Sequence, residues 1–307
     1  MIRILGLAAA LVAGAAPLLR PAAPAAAQQQ DFRWSGRLAR GEQITVKGII
    51  GDVRAEPASG DEVTVTAVRR GRGAEQVRVE VVRRSEGVVV CAVYPRDDRD
   101  DGRGRSMRQD DDDDDGDDRD DRGRREPRDA CNRGNVSVSN GDARVDFTVR
   151  VPAGVRVSLA SVTGNVYASG LRSPVRAASV SGNVRVSSDG PVQASSVSGN
   201  VEATMGRTGG ESLRFSTVSG NVTVRVPAST DAEFSARTLS GSIESDFPLE
   251  LGSSDRRGRR DDDDDDDDGP RVRVRIGQEA HGRLGRGGPR LQVNTVSGDI
   301  SLVRVSR

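Results

Sequence analysis

Aromatic residues make up only 3% of this 307-residue sequence, with one Trp, two Tyr and five Phe. A core with so few rings has to be built from Val, Leu, Ile and Ala in thin layers. That suits narrow stacked coils and argues against a globular α/β interior. His281 is the single histidine, so a serine hydrolase would have one candidate base. Nothing in the sequence sets a carboxylate or a particular serine beside it, and it reads as an exposed residue of a Gly/Arg-rich link. Lys and Arg balance Asp and Glu at 46 each, a net charge of zero that argues against a nucleic-acid binder. Beyond the first 27 residues no stretch is long and apolar enough to span a bilayer.

Those first residues have their own character. Arg3 gives a basic start, Ile4 to Val12 an apolar core, and Ala25-Ala26-Ala27 before Gln28 a small-residue cleavage site, so 1–27 reads as a secretory signal. Pro17, Arg20, Pro21 and Pro24 interrupt the apolar stretch, which favours cleavage over a retained anchor. The expected location is therefore exported, periplasmic or extracellular. In that setting Cys91 and Cys131, the only two cysteines, most simply form one disulfide. A redox or metal pair would call for a CxxC spacing or a nearby His, and neither is present.

Residues 28–95 read as an N-terminal β-strand part. Ile44 and Val46, then Val63, Val65 and Ala67, then Val77, Val79 and Val81 recur at period two, and Val88 to Val93 is a continuous valine-rich run. Residues 96–130 differ: Arg96 to Asp129 holds ten Arg against fifteen Asp and one Glu, a net of −6, with almost nothing apolar. Such a segment buries too little surface to offset its ordering entropy and is expected to be disordered. A second insert, 254–270, contains eight consecutive aspartates, Asp261 to Asp268. Between and after the inserts, 131–253 and 271–307 return to alternating strands.

The central feature is a repeated hexapeptide. Ser161-Val162-Thr163-Gly164-Asn165-Val166 is followed by copies at 179–184, 196–201, 217–222, 238–243 and 295–300. The glycines Gly164, Gly182, Gly199, Gly220, Gly241 and Gly298 are separated by 18, 17, 21, 21 and 57 residues. Ile49-Ile50-Gly51-Asp52-Val53 is an earlier, imperfect copy. A unit this small cannot bury its own apolar face, so the period predicts an all-β solenoid of short stacked coils carrying the two inserts, and the long last step reads as about three further coils. Within the motif, Val180 is expected to point inward, Gly182 to take a conformation that side chains resist, Asn183 to tolerate the same region, and Val184 to re-enter the core. Stacking would align Asn165, Asn183, Asn200 and Asn221 as an amide ladder, changing to Ser242 and Asp299 near the end. It would also align Ser181, Ser198, Ser219, Ser240 and Ser297 as a hydroxyl row.

This repeat resembles the bacterial "putative adhesin" family of exported β-strand-repeat proteins. So do Asp146-Phe147-Thr148-Val149-Arg150-Val151-Pro152-Ala153-Gly154 before the first full copy and Gly287-Gly288 before Val296-Ser297-Gly298-Asp299-Ile300. The resemblance covers about residues 32–305 apart from the inserts, which depart from the family's pattern. It implies a β-solenoid-like fold and an extracytoplasmic location, and it carries no catalytic residues over.

Candidate sites are few. The serine and asparagine rows read as turn chemistry and coil stacking rather than as a catalytic face. Tyr94, Tyr167 and Trp34 are too scattered along the chain for the aromatic-lined cleft of a β-helix polysaccharide lyase. Asp111, Asp113, Asp115 and Gly116, and again Asp264, Asp266, Asp268 and Gly269, match half an EF-hand loop, but the twelfth positions are Arg122 and Arg275. No metal or cofactor site is expected, and any calcium association with the aspartate runs would be weak and many-ion. The reading is a non-enzymatic exported interaction module of adhesin type. The partner would be an unspecified surface, envelope component or protein, and weak self-association through strand edges is a further expectation. A β-helix carbohydrate-active enzyme and a periplasmic envelope-stress or sensing module are the alternatives.

Overall fold

A computed structural model describes residues 32–95, 131, 142–251, 272–275 and 279–305. Residues 1–27, read above as a secretory signal, the insert 96–130, the insert 254–270 and the aspartates of both EF-hand-like stretches lie outside the described residues. Apart from a 3-10 turn at Ala74–Gln76, the regular structure described is β-strand. In chain order the first strands are β1 (Phe32–Arg37), β2 (Gln43–Lys47), β3 (Val53–Pro57), β4 (Glu62–Arg70), β5 (Arg78–Arg84), β6 (Gly87–Val93) and β7 (Arg144–Val151). The repeat region forms β8 (Arg156–Thr163), β9 (Val166–Leu171), β10 (Val175–Ser181), β11 (Val184–Ser188), β12 (Val192–Ser198), β13 (Val201–Met205), β14 (Leu213–Ser216) and β15 (Val222–Pro227). The chain closes with β16 (Ala232–Ser240), β17 (Ser242–Ser245), β18 (Glu250–Leu251), β19 (Val272–Arg275), β20 (Glu279–Leu284), β21 (Arg290–Ser297) and β22 (Ile300–Val305).

These strands build two large mixed sheets. One runs β1-β4-β7-β3-β9-β11-β13-β15-β22-β17-β19 and the other β18-β20-β16-β21-β14-β12-β10-β8-β2-β6-β5. From β8 onward each hexapeptide turn carries the chain from a strand of the second sheet to a strand of the first, making one rung, and parallel pairing then sets rung upon rung. The register is one-to-one: Val53, Val166, Val184, Val201, Val222, Ile300 and Ile243 are successive partners in the first sheet. None of the seven is more than 1% exposed. Each contributes about 1.5–3 kcal/mol by leaving water. Facing rows, such as Leu159, Ala177, Ala194, Phe215, Val293 and Ala236, come from the second sheet, so the core is a thin layer of Val, Leu, Ala and a few Phe.

The rungs do not stack in sequence order. The last one, β21 with β22, lies between β14/β15 and β16/β17, and the early rung β2/β3 lies between β6/β7 and β8/β9. The 57-residue step from Gly241 to Gly298 is therefore not three more coils. It is an excursion through β18, β19 and β20 that ends by slotting one rung back into the stack. Antiparallel strands close the ends: β1 on β4, β5 on β6, β19 on β17, and β18 on β20. The segment around His281, expected to be a Gly/Arg-rich link, is strand as far as Leu284. Gly282 permits this, because a Cβ there would sit 2.6 Å from Leu249, which packs across the strand. Tyr94 ties the N-terminal rungs together, its hydroxyl donating to the carbonyls of Ile50 and Ala143 at 3.2 and 3.3 Å. Burial raises its pKa. Cys91 on β6 is joined to Cys131.

Candidate functional site

The turn edge, where the hexapeptides stack, is the most regular surface of the molecule, and each motif position has its own task. The first position is a buried hydroxyl. Ser161, Ser179, Ser196 and Thr217 donate to the carbonyls of Gly51, Gly164, Gly182 and Gly199 at 2.8–2.9 Å. Thr295 and Thr238 do the same to Gly220 and Gly298 at 3.1 and 3.0 Å. This row satisfies backbone acceptors that the tight turn would otherwise leave buried and unpaired. It was not singled out in the sequence, although strict period-two counting from Val175 and Ala177 places Ser179 inside.

The same counting corrects the second position. Val180, expected to point inward, is 48% exposed. Val162, Val197, Val218, Val296 and Leu239 share its fate, so six of the seven exposed large apolar side chains among the described residues form one row. The reason is phase: once the hydroxyl before it must reach an inner glycine carbonyl, the next side chain faces solvent. Positions 1 to 4 carry no charged residue in any of the six copies, in a chain that is 30% charged. Thr163, Ser181, Ser198, Ser219, Ser297 and Ser240 form an exposed hydroxyl row beside the aliphatic one.

At the fourth position the rungs touch backbone to backbone. Gly182 has φ +153°, and a Cβ built on it would lie 2.2 Å from the Gly164 carbonyl oxygen. Gly164, Gly199, Gly220, Gly298 and Gly241 continue this spine in spatial order. At the fifth position side-chain oxygens hold the next rung's backbone. Asp146 Oδ1 accepts from the Asp52 N–H, Asp52 from Asn165, Asn165 from Asn183, Asn183 from Asn200 and Asn200 from Asn221, each at 2.9 Å. Asn221 Oδ1 accepts from Asp299 and Asp299 Oδ1 from Ser242, both at 2.8 Å. The links run from side chain to backbone, and the order ends Asp299 then Ser242 because of the slotted rung. The backbone N–H of Ser242, with its hydroxyl, holds the Asp299 carboxyl below the usual range.

Beside the asparagines, on the outer face of the first sheet, lies a depression of about 370 Å³ lined in part by Tyr167, Asn183, Arg185, Asn200, Glu202, Asn221 and Thr223. Glu202 is bound on both sides, by Arg185 Nε at 2.6 Å and by Arg225 Nη1. Burial pushes its carboxyl up, but the hydrogen bonds from Arg225 and Arg185 outweigh that and lower it. The Arg54 guanidinium sits 5.0 Å from the centroid of the Tyr167 ring. Tyr167, scattered in sequence, is thus brought to the asparagine row.

His281 is exposed, but it stands on β20 rather than in a loop. Glu279 Oε1 lies 3.2 Å from its Nε2, and Ser235 faces it across the β16–β20 pair. No hydrogen bond joins Ser235 to His281 among the described residues, and Arg237 holds the other Glu279 oxygen at 2.8 Å. That arginine bond is the main reason the Glu279 carboxyl is lowered. No cluster of three or more His, Cys, Asp or Glu able to hold a metal occurs among the described residues.

Known proteins give this geometry a context. Residues 130–276 match the family described as Toastrack DUF4097. A comparison with curated proteins found no significant match. Among solved structures, a "putative cell adhesion protein" from Clostridium sporogenes aligns with 9% identity and a TM-score of 0.40, covering 89% of this chain and 99% of its own. A "putative adhesin" from Bacteroides fragilis aligns with 11% identity and a TM-score of 0.34, covering 89% and 96%.

Proposed function

We propose that the protein is an exported, non-enzymatic interaction module of adhesin type, built as a β-solenoid, whose working surface is the aliphatic row along the turn edge. The carrying observation is that row: six large apolar side chains, 45–69% exposed, displayed in line in a chain-wide setting dense with charge. Exposed apolar surface gathered in one place marks an interaction site far more often than the same residues scattered singly. At a strand spacing of about 4.8 Å the five steps from Val162 to Leu239 span about 24 Å. The glycine spine and the buried hydroxyls fix that line, so little ordering is required when a partner docks. Because the band carries no charge, the partner it fits is an uncharged apolar strip on a protein of the cell surface or envelope. The signal-like segment and the disulfide support export.

The test compares beads coated with the mature protein and beads coated with a V180D/V197D/V218D variant, under flow over cells of a bacterium that carries the protein. Circular dichroism and the melting temperature first establish that the variant folds. Retention of the former and loss of the latter is the expected result. Equal retention, or release of both at the rate of albumin-coated beads, rejects the reading.

A further inference from the structure

From the asparagine row and the depression beside it we infer a second, separate binding site, for an extended neutral saccharide chain. The ladder spends only one end of each amide. Asn183, Asn200 and Asn221 give Oδ1 to the next rung, while their Nδ2 groups donate to no protein acceptor among the described residues. All three side chains are exposed. Because the oxygen is committed, the amide cannot turn over, so three N–H donors stand preorganised in a line at about the 4.8 Å strand spacing.

The lining selects the ligand class. Arg185 and Arg225 are both held by the single carboxylate of Glu202, so each guanidinium already has a partner although the trio carries a net charge of +1. An anionic ligand would have to compete with Glu202 for them, whereas a neutral one leaves the pairs intact. The strand backbones here are already paired in the sheet, so a peptide gains no ladder hydrogen bonds. A polyhydroxylated chain needs what is present: repeated neutral donors, the Thr223 hydroxyl as donor or acceptor, and at one end the half-buried Tyr167 ring, one face of which Arg54 covers and the other of which would be the platform for a sugar. A β-1,4-linked hexopyranose chain in extended form advances by about one ring per rung, which lets successive rings meet successive asparagines. This surface is distinct from the aliphatic row, so the two readings stand or fall separately.

The experiment is isothermal calorimetry on the mature protein with three probes: a β-1,4-linked glucose tetramer, a β-1,4-linked N-acetylglucosamine tetramer and an oligogalacturonate. The expected result is submillimolar binding of at least one neutral tetramer, tighter than that of the corresponding dimer. Two variants locate it. N183D/N200D keeps the acceptor oxygens and removes the donors, and the ladder already runs through Asp52 and Asp299, so it is compatible with aspartate. Y167A removes the platform. Y167A should weaken binding about tenfold, the equivalent of one lost stacking contact, and N183D/N200D, which removes two donors, by about tenfold to a hundredfold, with a native circular dichroism spectrum for both. No heat with either neutral tetramer at millimolar concentration overturns the inference. So does binding that both variants leave intact, or an oligogalacturonate that binds more tightly than both neutral probes.

Discussion

Ser179 and Gly182 act on the same rung contact from two sides. The serine hydroxyl supplies the Gly164 carbonyl with a donor at 2.8 Å, and the glycine leaves room for that carbonyl to approach. Ser179→Ala strands a buried acceptor and should cost about 1–3 kcal/mol in denaturant melts. Ser181→Ala, exposed two residues later, should stay within about 0.5 kcal/mol. Gly182→Ala adds backbone strain of about 1–3 kcal/mol to a direct collision with the carbonyl, so it should be the worst of the three. Comparable losses for both serine variants would show that the hydroxyl row does not hold the spine. Glu202 offers a pH test at the same scale. Its folded pKa is lowered, so its stabilisation is fully present above the unfolded carboxyl range, near about 4.3, and is lost as pH falls through the folded value. Glu202→Gln should therefore reduce stability at neutral pH and flatten the acid limb of a midpoint-against-pH curve. An acid limb identical to wild type would mean that the arginine pairs contribute nothing.

The element that decides cooperativity is the last rung. β16 rests on β21, not on β14, and β17 rests on β22, not on β15. Leu291 is partner both to Leu213 and to Phe234, and Ile300 both to Val222 and to Ile243. Ending the chain after Gly288 would remove a middle layer rather than an end. Hydrogen exchange should then show β16 and β17 losing protection along with β14 and β15, which a rung at the end of a stack would not cause. Retained protection in β16 and β17 would require them to re-dock on β14 and β15. The early rung β2/β3 is enclosed in the same way by β6/β7 and β8/β9, so both ends of the repeat are closed by contacts distant in sequence, a demanding arrangement for folding.

Across the molecule, the disulfide ties β6 to Cys131 over the charged stretch of the sequence. Cys91 and Cys131 are 40 residues apart, and closing a loop of that length is worth about 4 kcal/mol on the chain-entropy model. Reduction, or a C91A/C131A pair, should lower the stability of the purified protein by up to that amount and should loosen β6 and β7 first. A melt indifferent to reductant would show that Tyr94 and the strand pairing hold those rungs unaided. The sheet edges are managed separately: the outermost strand β5 carries Arg78, Arg83 and Arg84, charges that discourage strand addition from another chain.

Local patterning carried most of the architecture. Period-two valines specify strands, a recurring Ser/Thr-Val-Ser/Thr-Gly-Asn/Asp-Val/Ile hexapeptide specifies where they turn, and one-to-one spacing makes Asn165, Asn183, Asn200 and Asn221 stack, because each of these depends on a few neighbouring residues. Hydrophobicity alone misassigned Val180 and its counterparts, since what turns them outward is a hydrogen bond from Ser179 to another rung. The slotting of β21/β22, the strand under His281 and the meeting of Tyr167 with the asparagine row were decided only by tertiary structure. Each joins segments tens of residues apart, and the pairing energy that selects one partner over another appears in no local window.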